Sequence, residues 1–431
     1  MKKFSTVLIA AVFASFTLYA PSAHATDLKF SGPGGRIHGA DISRWQHPND
    51  QPINFKKMRR AGIDFVIIKA SDSRDESDQL AVKYLTADRK GAQEAGIHTG
   101  FYHYAILPNV TSKAAIERDA RAQAQKVIWR IGSIGGFNDL DLPYALDIEN
   151  SCVQVSANRT CAKYATRSNA TLWSKTFLKT LKDRTGRTPL IYSSPHFLEN
   201  SLKRDKELSK YPLWIAQYAI DPAKPGAKPN VKPGGCFVHS WTTSQCVANW
   251  TVWQYTSCGI APKYGVPGSR LDLNVFSGTG EKFESLLTGT WVPDPADEMP
   301  IGETSTITIT SYKATTTDKK VTIVVDVKRP DSSAVVTGSV KYVFSDLNSS
   351  IPTVTQTISR ETSGTWKISL EGTPAGDWLG SVLFKDASGT HSEVSAPLDF
   401  TVLQGPTPSP SPSKKPVLKP AFDSCKNQIK N

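Results

Sequence analysis

Beyond its first twenty-five residues, this 431-residue chain has no apolar run long enough to cross a bilayer, which takes ~20 residues. It has no Cys-x-x-Cys pair, so no structural zinc site is expected. His103 is assigned an orienting hydrogen-bond role rather than that of a metal ligand, and no metal or cofactor is expected. Helix-turn-helix, zinc-finger and aromatic RNA-binding signatures are all missing, which argues against nucleic acid as a partner.

What is present at the start points to export. Lys2 and Lys3 precede an apolar stretch from Val7 to Tyr19, and Ala23-His24-Ala25 supplies the small-x-small pattern of a cleavage site. A signal peptide is predicted over 1–25, with a mature protein that is secreted and possesses no membrane span. The formal net charge is +12, and removing Lys2 and Lys3 leaves +10. An exported protein of that charge favours anionic partners such as bacterial wall polymers. The six cysteines are Cys152, Cys161, Cys236, Cys246, Cys258 and Cys425. Cys152 with Cys161, and Cys236 with Cys246, would close short loops in an oxidising compartment. Cys258 and the distant Cys425 are left as a remainder that admits a free thiol.

The rest divides by texture. Over 36–291, short apolar runs (Ile37 to Ile42, Phe65 to Ala70, Thr99 to Ala105, Tyr144 to Ile148, Pro189 to Tyr192, Leu213 to Tyr218, Val252 to Tyr255, Leu271 to Val275) alternate at first with amphipathic stretches. Strand followed by helix, repeated, predicts a parallel sheet, and eight strands predict an α/β barrel of the TIM type. The helices fade toward the end. Residues 292–301 are proline-rich and acidic, hence a linker. Residues 302–404 are rich in Thr, Ser and Val with period-two segments, predicting an immunoglobulin-like β-sandwich of about seven strands. Residues 405–431 are a Pro/Ser-rich linker and a basic tail.

Chemistry is expected at the carboxyl ends of the barrel strands. Leu146-Asp147-Ile148-Glu149 ends one of them, and alternation puts Asp147 and Glu149 on one face. Neighbouring carboxyls do not both ionise cheaply, so one pKa should rise. A glycosidase needs that arrangement: a protonated acid beside an ionised partner. Asp41 ends the first strand and Asp272 lies on the last, its neighbour in a closed barrel. Acids inside apolar strands are costly to bury without a purpose. Tyr102, His103, Tyr104, Tyr192, Trp214, Gln217, Tyr218, Gln254 and Tyr255 lie near strand ends as candidates for binding sugar, because rings with a polar handle stack on its apolar face and bond its hydroxyls.

These segments, in order, resemble the glycoside hydrolase family 25 lysozymes. The resemblance rests on Asp41-Ile42-Ser43-x-Trp45-Gln46, Gly62 to Ala70, Ala95 to Tyr104, Asp147-Ile148-Glu149, Pro189 to Tyr192, Leu213 to Tyr218, Trp253 to Ser257 and Asp272-Leu273-Asn274. It implies an irregular barrel of five β/α units and three further strands. It also implies hydrolysis of the β-1,4 bond between N-acetylmuramic acid and N-acetylglucosamine in peptidoglycan. Glu149 would be the general acid, and Asp147 its charged partner at the oxocarbenium or the substrate's acetamido group. Asp41 and Asp272 would line the floor. The chain departs from the family pattern at Ser71-Asp72-Ser73-Arg74, near the rim. The chitinase signature Asp-x-x-Asp-x-Asp-x-Glu is missing, with Leu142 and Ala145 at two of its acidic positions. Two alternatives remain: an inactive wall-binding protein, or a glycosidase for another N-acetylhexosamine polymer such as chitin.

Overall fold

The computed structural model describes residues 27–293, except 204, 219, 230, 233–234, 237–249 and 288, together with seven strands between 308 and 402 and Cys425, Gln428 and Ile429. Eight strands close into a barrel: β1 (His38–Ile42), β2 (Phe65–Asp72), β3 (His98–Tyr104), β4 (Ala145–Asp147), β5 (Leu190–Ser193), β6 (Leu213–Ala216), β7 (Val252–Ile260) and β8 (Arg270–Phe276). Helices follow the first five: α1 (Phe55–Arg60), α2 (Asp75–Glu94), α3 (Lys113–Ser133), α4 (Arg167–Thr185) and α5 (Pro195–Asn200). The expected fading of the helix repeat is therefore observed.

One strand departs from the parallel expectation. β8 runs antiparallel to both β7 and β1. The chain between β7 and β8 holds only a short 3-10 turn, Ala261–Tyr264, and a parallel return needs a crossover of a dozen or more residues. The site end of β8 is therefore its amino end, where Asp272 sits.

Alternation sorts the strand residues into two cores. Ile37, Phe65, Ile67, Ala145, Tyr192, Trp214, Val252 and Phe276 fill the barrel interior. Ala40, Val66, Ile68, Phe101, Leu146, Ile148, Ile191, Trp253, Tyr255 and Leu273 face outward, in the core shared with Trp173, Phe177 and other helix residues. Gly39 points inward where a Cβ would meet the Phe65 ring at 2.2 Å, so the bottom of the barrel closes only with glycine there. α3 starts on Ser112 and α4 on Thr166, each accepting a backbone N–H as N-cap. α4 ends at Gly186 in the left-handed region.

After β4 the chain forms a hairpin, Cys152–Val155 with Cys161–Tyr164, stapled by the expected Cys152–Cys161 disulfide. The expectation of a free thiol is corrected: Cys258 pairs with Cys425, and no described cysteine is free. Sequence distance misled here, because tertiary folding brings Cα atoms 167 residues apart to 5.8 Å. The Cys236–Cys246 pairing and residues 1–25 lie outside the described residues. Between 308 and 402 the strands form two antiparallel sheets. Thr308–Thr317, Lys320–Lys328 and Thr365–Leu370 make one. Val354–Ser359, Gly338–Asp346, Gly376–Asp386 and Leu398–Val402 make the other. Among the described residues no helix is long and apolar enough to cross a membrane.

Candidate active site

Four acids meet at the mouth of the barrel as two pairs. Asp41 on β1 stands directly opposite Asp272 on β8 in the ladder, and their carboxyls are hydrogen-bonded. Asp41 Oδ2 also accepts from Gln254 Nε2 at 2.9 Å and from Asn274 Nδ2 at 2.8 Å. The Gln254 amide is oriented by two phenols, since Tyr192 and Tyr218 both donate to its Oε1, at 2.9 and 2.6 Å. Trp214 donates its indole N–H to Asn274 Oδ1 at 2.8 Å, and its ring packs on Tyr192 with centroids 4.4 Å apart. Burial raises the Asp41 pKa above the usual carboxylate range, against the opposing pull of the Asn274, Gln254 and Asp272 hydrogen bonds.

The second pair is Asp147, the last residue of β4, and Glu149, two positions on. Ile148 between them turns outward into the core, so the two acids share the inner side as alternation predicts. Their carboxyls are hydrogen-bonded to each other. Asp147 is buried, and its Oδ1 has no hydrogen-bond partner. Glu149 reaches solvent at the mouth, yet protein crowds it closely. Burial raises both pKa values, and the Glu149 charge pushes Asp147 well above the carboxylate range. Two carboxyls in contact titrate as a unit, so the pair keeps one proton to higher pH than either acid alone would.

A cation opposes that elevation. Lys69 on β2 lowers both members of the pair electrostatically. Its Nζ lies 2.7 Å from Asp72 Oδ2 and 4.8 Å from the centre of the Tyr104 ring. Arg74 donates twice to Asp72, at 2.9 and 2.8 Å, and stacks over the same ring at 5.0 Å. Burial alone would raise Asp72, but its bonds to Arg74 and the Lys69 and Arg74 charges outweigh this and bring it down to about 2. Tyr102, Tyr192 and Tyr218 are pushed well above the normal phenol value by burial and by the surrounding negative charge. They stay neutral donors.

Of the residues the sequence nominates, the structure gathers Asp41, Asp147, Glu149, Asp272, Tyr102, Tyr104, Tyr192, Trp214, Tyr218 and Gln254. Gln217 adjoins them through its backbone, donating to the Gln254 carbonyl at 3.0 Å and accepting from Trp253 Nε1 at 2.8 Å. Two nominees lie elsewhere, which corrects their assignment. His103 faces outward, bonded to Ser71 and Gln123 at 2.9 and 3.0 Å and stacked on Phe177. Tyr255 also faces outward, with its hydroxyl 3.0 Å from His38 Nε2. Both sit at odd steps from inward-facing residues (His103 between Tyr102 and Tyr104, Tyr255 after Gln254), so the pleat sends them to the other face.

The sequence reading gave no site role to Lys69, Asn274, Asp72 or Arg74, although it placed Ser71 to Arg74 near the rim. Lys69 interrupts an apolar strand just as the acids do, and the same burial argument finds it. Asn274 is two positions from Asp272, hence on its face. The roles of Asp72 and Arg74 depend on where the β2 end meets Tyr104, which no local pattern states.

The sequence model of glycosyl hydrolases family 25 matches residues 40–264, more than half of the chain. The fold and the match define a glycoside hydrolase, and the chain belongs to glycosyl hydrolases family 25. It is similar to the uncharacterized protein YegX of Escherichia coli O6:H1, with 29% identity over 256 residues, 59% of this chain and 74% of the relative. It is similar to lysozyme M1 of Streptomyces globisporus at 27% over 257 residues, 59% of this chain and 72% of the relative. Among solved structures, the bacterial lysozyme from Streptomyces coelicolor aligns at 25% identity with a TM-score of 0.41, covering 58% of this chain and 96% of the other.

Proposed function

We propose that the protein is a secreted lysozyme that hydrolyses the β-1,4 bond from N-acetylmuramic acid to N-acetylglucosamine in bacterial peptidoglycan. The observation that carries this reading is the hydrogen-bonded Asp147–Glu149 pair, raised in pKa and placed where β4 opens to solvent. Names of relatives support the substrate: lysozyme M1, and the N,O-diacetylmuramidase of Chalaropsis sp, 27% identical over its whole length.

Glu149 is the outward member of the pair. The pair's proton, which rests on Asp147 beside the Glu149 charge, passes across their hydrogen bond to Glu149 and from there to the glycosidic oxygen as the bond from C1 to that oxygen breaks. Asp147 is in contact with Glu149, whereas a separate retaining nucleophile stands ~5 Å from the acid, across the bond. Asp147 therefore suits a supporting role: as carboxylate it accepts the N–H of the substrate's 2-acetamido group, whose carbonyl oxygen bonds to C1 in place of the leaving group. Glu149, now ionised, takes a proton from the water that then opens this intermediate. Asp41 and Asp272 form the floor, and Tyr102, Tyr104, Tyr192, Trp214 and Tyr218 supply donors and ring faces.

We divide the chain as a signal peptide over 1–25, a catalytic barrel over 36–291, a linker over 292–301, an immunoglobulin-like sandwich over 302–404, and a Pro/Ser-rich linker with a basic tail over 405–431. The two antiparallel sheets between 308 and 402 support the sandwich, and the basic composition supports affinity for anionic wall polymers.

The test is mass spectrometry of soluble fragments from purified peptidoglycan, treated with wild type and Glu149→Gln. Fragments ending in reducing N-acetylmuramic acid, lost in the variant, are expected. Reducing N-acetylglucosamine ends would make the enzyme a glucosaminidase. No release by folded wild type, with binding to sacculi retained, would favour a wall-binding protein.

A further inference from the structure

β7 is irregular beside the site. Its register against β8 runs Gln254 to Asn274, Thr256 to Leu273 and Gly259 to Leu271, with irregularities on either side of Thr256. Such bulges remove ladder partners and re-aim side chains. The Ser257 N–H needs an acceptor here, and a buried backbone donor left without one is costly.

That acceptor comes from far along the chain. Ser257 N–H donates to Gln428 Oε1 at 2.8 Å, and the Ser257 hydroxyl lies 3.2 Å from the same oxygen. Thr256 Oγ1 donates to the Ile429 carbonyl at 2.6 Å. Ile429 packs against the outer barrel core, and the adjoining Cys258–Cys425 disulfide fastens the segment covalently. A crosslink of this kind keeps the docking groups at high local concentration.

The contact leads back to the floor of the site. Ser257 also hydrogen-bonds the Tyr218 hydroxyl. Tyr218 donates to Gln254 at 2.6 Å, and Gln254 donates to Asp41 at 2.9 Å. Three residues, Ser257, Tyr218 and Gln254, thus connect residue 428 to a floor carboxylate.

We propose that Cys425, Gln428 and Ile429 form a positioning element of the active site, in which Gln428 holds the Ser257 bulge so that Tyr218 and Gln254 present Asp41 correctly. The inference rests on the reading of Asp41 as part of the catalytic floor. Gln428 touches no substrate; it acts through Ser257. A consequence is that the chain between Cys258 and Cys425, the seven β-strands included, is a loop anchored to the barrel at both ends.

The test uses the full chain with Gln428→Ala, Gln428→Glu and Cys425→Ser, each checked for folding by circular dichroism. Two quantities are read: amide hydrogen exchange at Ser257, and kcat and KM for peptidoglycan fragments. Gln428→Ala should speed Ser257 exchange and lower kcat about 3- to 10-fold, the range for losing one neutral hydrogen bond, with KM within about twofold. Gln428→Glu keeps the acceptor oxygen and should restore both, and Cys425→Ser should reproduce the alanine defect. Unchanged exchange, or unchanged kcat, in folded Gln428→Ala overturns the proposal. Wild type that is inactive on peptidoglycan would sink the proposed function instead, and Ser257 exchange would still judge the docking.

Discussion

The two faces of the barrel wall around β3 carry buried polar clusters of opposite design. Outside the barrel, His103 bonds Ser71 and Gln123, Ser71 bonds Tyr144 at 2.7 Å, and Gln123 bonds Asp119 and the Ile106 carbonyl at 2.6 and 3.1 Å. Every group there answers another, and no two like charges touch. Inside, Asp147 and Glu149 face each other as acids, and Asp147 keeps an unpartnered oxygen. A satisfied network lends rigidity and a unique packing, whereas like charges held together and open to solvent store a proton at the cost of stability. Burial alone does not distinguish the clusters. Complementarity of the partners does.

The comparison is broken most directly at the inner pair. Glu149→Gln keeps the shape and removes the transferable proton, so kcat should fall about 10³- to 10⁴-fold in a turnover assay on purified peptidoglycan, the upper part of the range for general acid–base catalysis. A variant retaining a tenth of wild-type activity would remove Glu149 from the role of acid. Asp147→Asn should lower kcat about 10²- to 10³-fold while raising the melting temperature, because it relieves a buried like-charge contact. A lower melting temperature would contradict the stored-charge account.

Lys69→Met sharpens the contrast more gently. Loss of a cation that favours both carboxylates should lift the pair's pKa. The alkaline limb of the pH–rate profile would then move to higher pH, since the acid keeps its proton longer. An unmoved limb would mean that Lys69 and the pair do not interact.

His103→Phe addresses the outer face. It removes one partner each from Ser71 and Gln123, which keep their bonds to Tyr144, Asp119 and the Ile106 carbonyl, so stability should drop by about 1–3 kcal/mol in urea unfolding, with kcat of the folded variant within about threefold of wild type. A large kcat defect at normal stability would return His103 to the substrate-binding set. A further effect is collective. Burial depresses His38 to about 3 and His98 and His103 to about 4, against ~6.5 in the unfolded chain. Groups of this kind support the fold fully above their unfolded value, and that support is lost as pH falls from ~6.5 toward 4. Raised carboxyls such as Asp41 and Asp147 work in the opposite sense, gaining stability on protonation, which tempers the decline. Unfolding free energy measured from pH 7 to 4 should therefore fall gradually, and the fall should lessen in His103→Phe.

Much of this molecule is legible in one dimension. The eight apolar runs, the long helices α2, α3 and α4 and the acids at strand ends follow from periodicity and from the cost of burying charge. Asp147 and Glu149 share a face because a strand alternates. The same rule applied to every residue would have excluded His103 and Tyr255 and admitted Asn274; proximity to a strand end was too coarse a criterion.

Other features depend on residues distant in sequence and so belong to the tertiary structure. The antiparallel return of β8 pairs Asp41 with Asp272, and closure of the barrel turns two separate acids into a hydrogen-bonded floor. The Cys258–Cys425 bond and the docking of Gln428 on Ser257 join residues more than 160 positions apart. Local chemistry determined which residues are able to ionise, stack or donate. Only the closed barrel decided which of them meet, because the energy of a charge depends on its neighbours and its solvent, and both are set by the fold.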